Sequence, residues 1–329
     1  MRAYFIMKGS DRMAERSKRI CLYDAEKAKK INEETLKMFQ KYQIDMSIRG
    51  LSENSVKQYK SDLMQWFIYM YNNQYNLSVL EATDDEIEEY YFYRKQQGNN
   101  VNRQKRVMSS ISAFYKFLRK KKLIKESPVE FIDRPKAGLP IITQTYLTKE
   151  EVQLMREKLA EYGDIQLQVY AFLSLTTMGR VNAIAHLRWD QMDFENRIFE
   201  NVLEKEGKIV EFSFSEETKG YIEKLLEYRK SNNIDDYGWV FVTPYITPTE
   251  CVNNGTLNDW CKKIGCMIGQ PTLHCHDFRH SYANLMKGAG VSLEDVSTML
   301  NHSGTDVTKK FYLKVDTSKV RKIKDSITI

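Results

Sequence analysis

From about Lys30 to Lys125, apolar residues recur every three to four positions, the period of helices that bury one face. SENSVKQYKSDLMQWFIYMYNN predicts a helix capped by Ser52, with Val56, Tyr59, Leu63, Trp66, Phe67 and Met70 on one side. TDDEIEEYYFYRKQQG opens on a capping box, Thr83 with Glu86, and closes on Gly98. VNRQKRVMSSISAFYKFLRKKKLIK carries the stripe Val107, Ile111, Phe114, Tyr115 and Leu118. Four or five helices in this span predict a small all-α domain over residues 31–125. Residues 1–30 are charged, lack a clear apolar period, and read as an N-terminal extension or a short helix.

Three of the six prolines, Pro128, Pro135 and Pro140, interrupt the helical period and mark an extended linker over residues 126–147. A second domain, residues 148–329, opens on another capping box, Thr148 with Glu151, in LTKEEVQLMREKL. RIFENV and KIVEFSFS alternate like strands around a turn at EKEGK, and helices are predicted again over roughly 217–231 and 255–268. The expected fold class is therefore mainly α with a small β-sheet: a helical N-terminal domain followed by an α+β domain. No internal repeat or low-complexity tract is present.

Charge adds direction to this picture. The chain has a formal charge of +6 and a pI near 8.8, which suits an anionic partner without requiring one. Residues 101–125 hold nine lysines and arginines and no acid, a stronger indication of a surface for a phosphate backbone than of a merely solvated face. Candidate contacts are Arg103, Lys105, Arg106, Lys116 and Arg119, with Lys57 and Lys60 on the earlier amphipathic helix. No apolar run approaches membrane-spanning length, and the N-terminus lacks a secretion signal's apolar core, so a cytoplasmic protein with reduced cysteines is expected. Cys261, Cys266 and Cys275 lie near His274, His276 and His280, but the gaps between the cysteines are looser than the tight pairs zinc prefers. Buried, inert thiols are the better reading, and no metal or cofactor is expected.

The candidate chemistry lies in the second domain. LTTMGRVNAIAHLRWDQMDF presents Arg180 after an apolar helix, and LEKEGKIVEFSFS puts Lys205 and Lys208 in the turn of a hairpin. HCHDFRHSYANLMKGAG sets His276 and Arg279 three apart in a helix's first turn, where N–H groups and partial positive charge suit a phosphate oxygen. SLEDVSTMLNH is a helix capped by Ser292 that ends at His302, and NHSGTDVTKKFYLKV follows with Tyr312. Each residue alone has an ordinary structural or solvated reading.

In combination and order, Arg, Lys, His-x-x-Arg, His and Tyr, together with the box HDFRHSYANLMKGAGVSLEDVSTMLNHS, resemble the tyrosine recombinase (phage integrase) superfamily. SENSVKQYKSDL looks like the start of its SAM-like core-binding domain, and SPVEFIDRPK like its interdomain linker. The resemblance implies that Arg180 and Arg279 grip the scissile phosphate, and that His276 and His302 hydrogen-bond it. His276 would also take the tyrosine proton, Lys205 would protonate the departing 5′ oxygen, and Tyr312 would attack phosphorus to form a 3′-phosphotyrosyl ester. It also implies double-stranded DNA with inverted-repeat half-sites as partner, four protomers assembled on two sites, and a tail, DTSKVRKIKDSI, that packs on a neighbouring protomer. With only about 30 residues before the helical domain, a simpler two-domain, Xer-like enzyme of a phage or mobile element is expected.

Four positions depart from the family pattern. TMGR stands where an order like T-G-x-R is usual, Ala183 where an acid commonly orients the first arginine, and Asn301 where glycine usually precedes the second histidine. Tyr312 follows His302 by ten residues rather than nine. A catalytically silent, recombinase-fold DNA-binding regulator such as a phage repressor is therefore the alternative reading. A type IB topoisomerase shares the tyrosine chemistry but fits the compact two-domain layout less well.

Overall fold

The structure is a computed structural model that describes residues 20–136, 146–204, 207–243 and 250–301. The chain divides into two compact units, Met1–Ile142 and Thr143–Ile329. The fold class read from the sequence holds: among the described residues the protein is mainly helical with one small antiparallel sheet.

Among the described residues the N-terminal unit contains α1 (Ala25–Ala28), α2 (Glu33–Ile48), α3 (Glu53–Asn73), α4 (Asp84–Gln96) and α5 (Val101–Lys120). The local signals act as expected. Ser52 accepts from Ser55 N–H at 3.3 Å to start α3, Glu86 Oε2 accepts from Thr83 N–H at 2.8 Å to start α4, and Gly98 takes a φ of 91° after α4. The facing stripes of α2, α3 and α5 meet in an aromatic core. Phe39 meets Phe67 edge-on at 5.4 Å, and Tyr42 meets Phe114 edge-on at 5.3 Å. Trp66, Phe67, Phe114 and Tyr115 are wholly buried there.

The C-terminal unit is built around α7 (Ile165–Thr177), which is apolar on nearly every side and packs against α6 (Lys149–Tyr162), α9 (Glu216–Ser231) and α11 (Cys275–Gly288). A helix apolar all round belongs in a core. Between α7 and α9 lie α8 (Val181–Ala185), then β1 (Met192–Asp193), β2 (Ile198–Leu203) and β3 (Ile209–Ser213), ordered β1-β2-β3 and antiparallel throughout. The strand β1 was not foreseen from the sequence. α10 (Asn254–Met267) precedes α11, and α12 (Leu293–Met299), capped by Ser292, follows it.

The hairpin shows how the sheet holds its register. Phe199 and Val202 are both buried although three positions apart, which a regular strand of period two cannot achieve. A register irregularity between them, with Asn201 at a φ of 55°, absorbs the extra residue, so Phe199 faces Phe212 and Val202 faces Val210. No described helix is long and apolar enough to cross a membrane.

Candidate active site

Three segments of the C-terminal unit converge on one place. The first is the turn after α7. Met178 adopts a left-handed φ of 51°, and a Cβ on Gly179 would come within 2.7 Å of Ile184 Cδ1 and 2.8 Å of Phe212 Cε2. Only glycine lets this turn lie so close to the sheet. The turn delivers Arg180 to the start of α8 with 29% of its side chain exposed, and its Nη1 donates to Glu204 Oε2. Ala183 is buried in α8 and supplies no charge.

The second segment is the end of β2. Glu204 has no exposed side-chain surface, and its backbone N–H donates to Lys208 O at 2.7 Å to close the hairpin turn. Lys208 Nζ is exposed and donates to Asn301 O at 3.2 Å, tying the hairpin to the end of α12. Asn301 takes a φ of 51°, the left-handed geometry expected of it in place of glycine.

The third is the start of α11. His276 is half-buried there, its ring edge-on to His280 at 5.3 Å. Burial first, then the charges of Arg279, His274 and Arg180, push its pKa down to about 4, so the ring is neutral at pH 7 and can accept a proton. In this first turn Asp277, fully buried, accepts from His274 N–H at 3.1 Å.

Arg279 differs most from its sequence reading. It is 1% exposed, and its two Nη atoms donate to the carbonyls of Met178 and Leu300. A planar fork of donors suits that bridge. From α11, Arg279 therefore braces the turn that carries Arg180 and the end of α12. Lys205, His302 and Tyr312 lie outside the described residues. In sequence they continue directly from the tied segments, Lys205 from Glu204 and His302 from Asn301. Tyr282 is half-buried and lines a cleft of about 730 Å³ with Met178, Met286 and Asn301.

The candidate DNA contacts do not form one cluster. Arg103 and Arg106 on α5 both pair with Asp62 of α3, at 3.0 and 3.1 Å, and Ser110 adds a bond at 2.9 Å. The charge of that basic stretch, uncompensated in sequence, is thus partly compensated through tertiary packing. Lys57 and Lys60 are exposed near the start of α3, where Lys57 meets Glu53 at 3.6 Å, and Lys105 is half-buried. Lys116 and Arg119 are exposed about 15–24 Å further along α5 at helical rise, and Arg119 pairs with Glu130 at 3.0 Å.

Two acids were missed. Asp62 lies three residues after Tyr59 and four before Trp66, so the helical period already set it on the buried face. Glu204 follows Val202 by two and therefore points inward with it, a signal hidden by the charged turn beyond. The cysteines also need a correction. Cys261 is buried and Cys275 Sγ lies 3.0 Å from Tyr170 Oη, but Cys266 and Cys21 are exposed. Among the described residues no cluster of three histidines, cysteines or acids could hold a metal.

Comparison with known proteins fits this layout. The phage integrase family matches residues 145–319, and the N-terminal SAM-like domain of phage integrases matches residues 39–122. The chain belongs to the phage integrase family of tyrosine recombinases, enzymes that cleave and rejoin DNA. It is 25% identical over 281 residues to the tyrosine recombinase XerC of Leptospira interrogans, spanning 84% of this chain and 87% of that one. It is 24% identical over 279 residues to XerD of Vibrio cholerae, spanning 84% and 90%. In fold it is similar to the XerH recombinase bound to a palindromic difH substrate, with a TM-score of 0.67 at 15% identity over 84% of this chain and 80% of that one. A lambda integrase dimer bound to a core site gives 0.64 at 14% identity over 84% and 94%.

Proposed function

We propose that this chain carries out site-specific recombination through a 3′-phosphotyrosyl intermediate formed by Tyr312. The observation that carries this reading is the convergence of Arg180, from the turn after α7, with His276 and Arg279, from the start of α11. The two segments from which Lys205 and His302 continue are fastened to the same place by the Arg180–Glu204, Lys208–Asn301 and Arg279–Leu300 links.

The chemistry follows from these groups. The exposed part of Arg180 binds the non-bridging oxygens of the scissile phosphate, and Arg279 adds its charge from beneath while holding the pocket's walls. A tyrosine hydroxyl with a pKa near 10 is a weak nucleophile at neutral pH, so it needs a base. His276, neutral by virtue of its surroundings, takes the Tyr312 proton as the oxygen bonds to phosphorus. The bond from phosphorus to the 5′ oxygen breaks, Lys205 supplies that oxygen's proton, and His302 hydrogen-bonds the phosphoryl group. The ester conserves the phosphodiester's bond energy, so rejoining requires no nucleotide cofactor.

The DNA partner is a duplex with inverted half-sites, contacted by basic residues of the helical unit and by the catalytic unit. Four protomers act on two such sites, in the cytoplasm. The binding of XerH to a palindromic substrate and of lambda integrase to a core site supports this choice of partner.

A nicked suicide substrate carrying the site tests the proposal. A covalent protein–DNA band should form and should vanish in Tyr312→Phe, while Tyr282→Phe still cleaves. The ten-residue interval from His302 to Tyr312 and the apolar Ala183 favour the second reading, a regulator that binds without cutting. Tight sequence-specific binding with no adduct from the unaltered protein would establish that reading instead.

A further inference from the structure

Arg180 needs an anionic partner to hold its fork in one orientation, and its own short helix, Val181–Ala185, contains no acid. The carboxylate comes from elsewhere in the chain, at the end of β2. Glu204 is buried with no exposed side-chain surface, while Arg180 keeps 29% of its side chain open. One edge of the guanidinium is therefore fixed from the protein side, and the other remains available.

A buried ion pair contributes little net stability, because desolvating both charges offsets most of their attraction. Burying Glu204 completely to hold a half-open arginine is thus poorly explained by stability alone. Its second oxygen, Oε1, has no hydrogen-bond partner among the described residues, so the carboxylate is not saturated as a purely structural buried acid would be. Glu204 is also the residue immediately before Lys205, and its backbone N–H closes the hairpin turn on Lys208.

We infer that Glu204 is the positioning residue for Arg180, taking from the neighbouring strand the part that Ala183 leaves unfilled within Arg180's own helix. Its carboxylate holds Nη1 so that the remaining N–H donors face the scissile phosphate. This rests on the recombinase reading.

The test is single-turnover cleavage of the suicide substrate at saturating protein, with DNA affinity measured in parallel. Glu204→Gln keeps the shape but releases the charge, and cleavage should fall about 10- to 100-fold, the scale set by misplacing one catalytic group, with affinity within about twofold. In the Arg180→Lys background the same change should cost no further rate, because both act through one group. Replacing one non-bridging oxygen of the scissile phosphate by methyl removes the charge that Arg180 answers, so the Glu204→Gln deficit should shrink on that substrate. A merely structural residue would leave the deficit unchanged.

Wild-type cleavage by Glu204→Gln, or losses that multiply with Arg180→Lys, would overturn the inference. Should Glu204→Gln fold poorly, melting supplies the answer: Arg180→Met should lower the midpoint, and adding Glu204→Gln should recover part of it. No recovery would likewise overturn the coupling. Absence of adduct from the unaltered protein would defeat the recombinase reading itself, a result separable from all of these.

Discussion

Arg279 is the residue whose removal should reveal most about how the catalytic unit is held together. Arg279→Met keeps a long apolar stem but removes both donors, leaving the carbonyls of Met178 and Leu300 without that partner in a buried setting. Two hydrogen bonds to a charged group contribute about 3–6 kcal/mol together. Losing the desolvation cost of a buried guanidinium offsets part of this, and a net destabilisation of about 2–4 kcal/mol is expected. For a unit of this size each kcal/mol moves the melting midpoint by about 2–4 °C, so the transition should fall by about 4–16 °C. Arg279→Lys keeps the charge but can reach only one carbonyl, and should lose about half as much. Scanning calorimetry is the assay, because each unit has its own core and only the C-terminal transition should move. A midpoint for Arg279→Met within about 2 °C of wild type would refute the brace, since a side chain that merely awaits phosphate has no part in folding.

Three further outcomes are expected. His276 has its folded-state pKa depressed to about 4, below an unfolded value near 6.5, so between these values the unfolded chain binds more protons. Stability of the C-terminal unit should therefore fall as pH drops through that window, and denaturant titrations of His276→Gln should show a flatter dependence. Asp62→Asn should lower the N-terminal unit's melting midpoint while tightening non-specific DNA binding, because Arg103 and Arg106 lose their shared counter-charge. The slope of log affinity against log salt should steepen by about 0.9 for each added phosphate contact, and an unchanged slope would show that these arginines do not face DNA. Gly179→Ala places a methyl against Ile184 and Phe212, which should cost about 1–3 kcal/mol and slow cleavage by shifting Arg180.

Local physics explains what the sequence revealed and what it hid. Caps at Ser52, at Thr83 with Glu86 and at Thr148 with Glu151 could be read because donor and acceptor lie within four residues of each other. The hairpin could be read because alternation is also local, although the bulge at Asn201 could not, since it depends on which residues the partner strand presents. Arg180, His276 and Arg279 were recognisable as a set by their order. The partners that decide how they behave are distant in sequence: Glu204 lies 24 residues from Arg180, and Met178 lies 101 residues from Arg279. The partial compensation of the basic stretch of α5 was hidden for the same reason, because Asp62 is 41 residues from Arg103. Residue types were legible, whereas their occupation by buried partners was not.

The distribution of cysteines has a practical consequence. Cys21, in the N-terminal unit, and Cys266, on α10 of the C-terminal unit, are exposed, while Cys261 is buried and Cys251 and Cys275 are half-covered. The two accessible thiols fall one to each unit and outside the candidate catalytic set. Brief treatment with a maleimide donor and acceptor should label these two first, without any engineered substitution. Energy transfer between the dyes would then act as a ruler spanning the linker, able to follow the two units in real time as DNA is added and as the strand is cut.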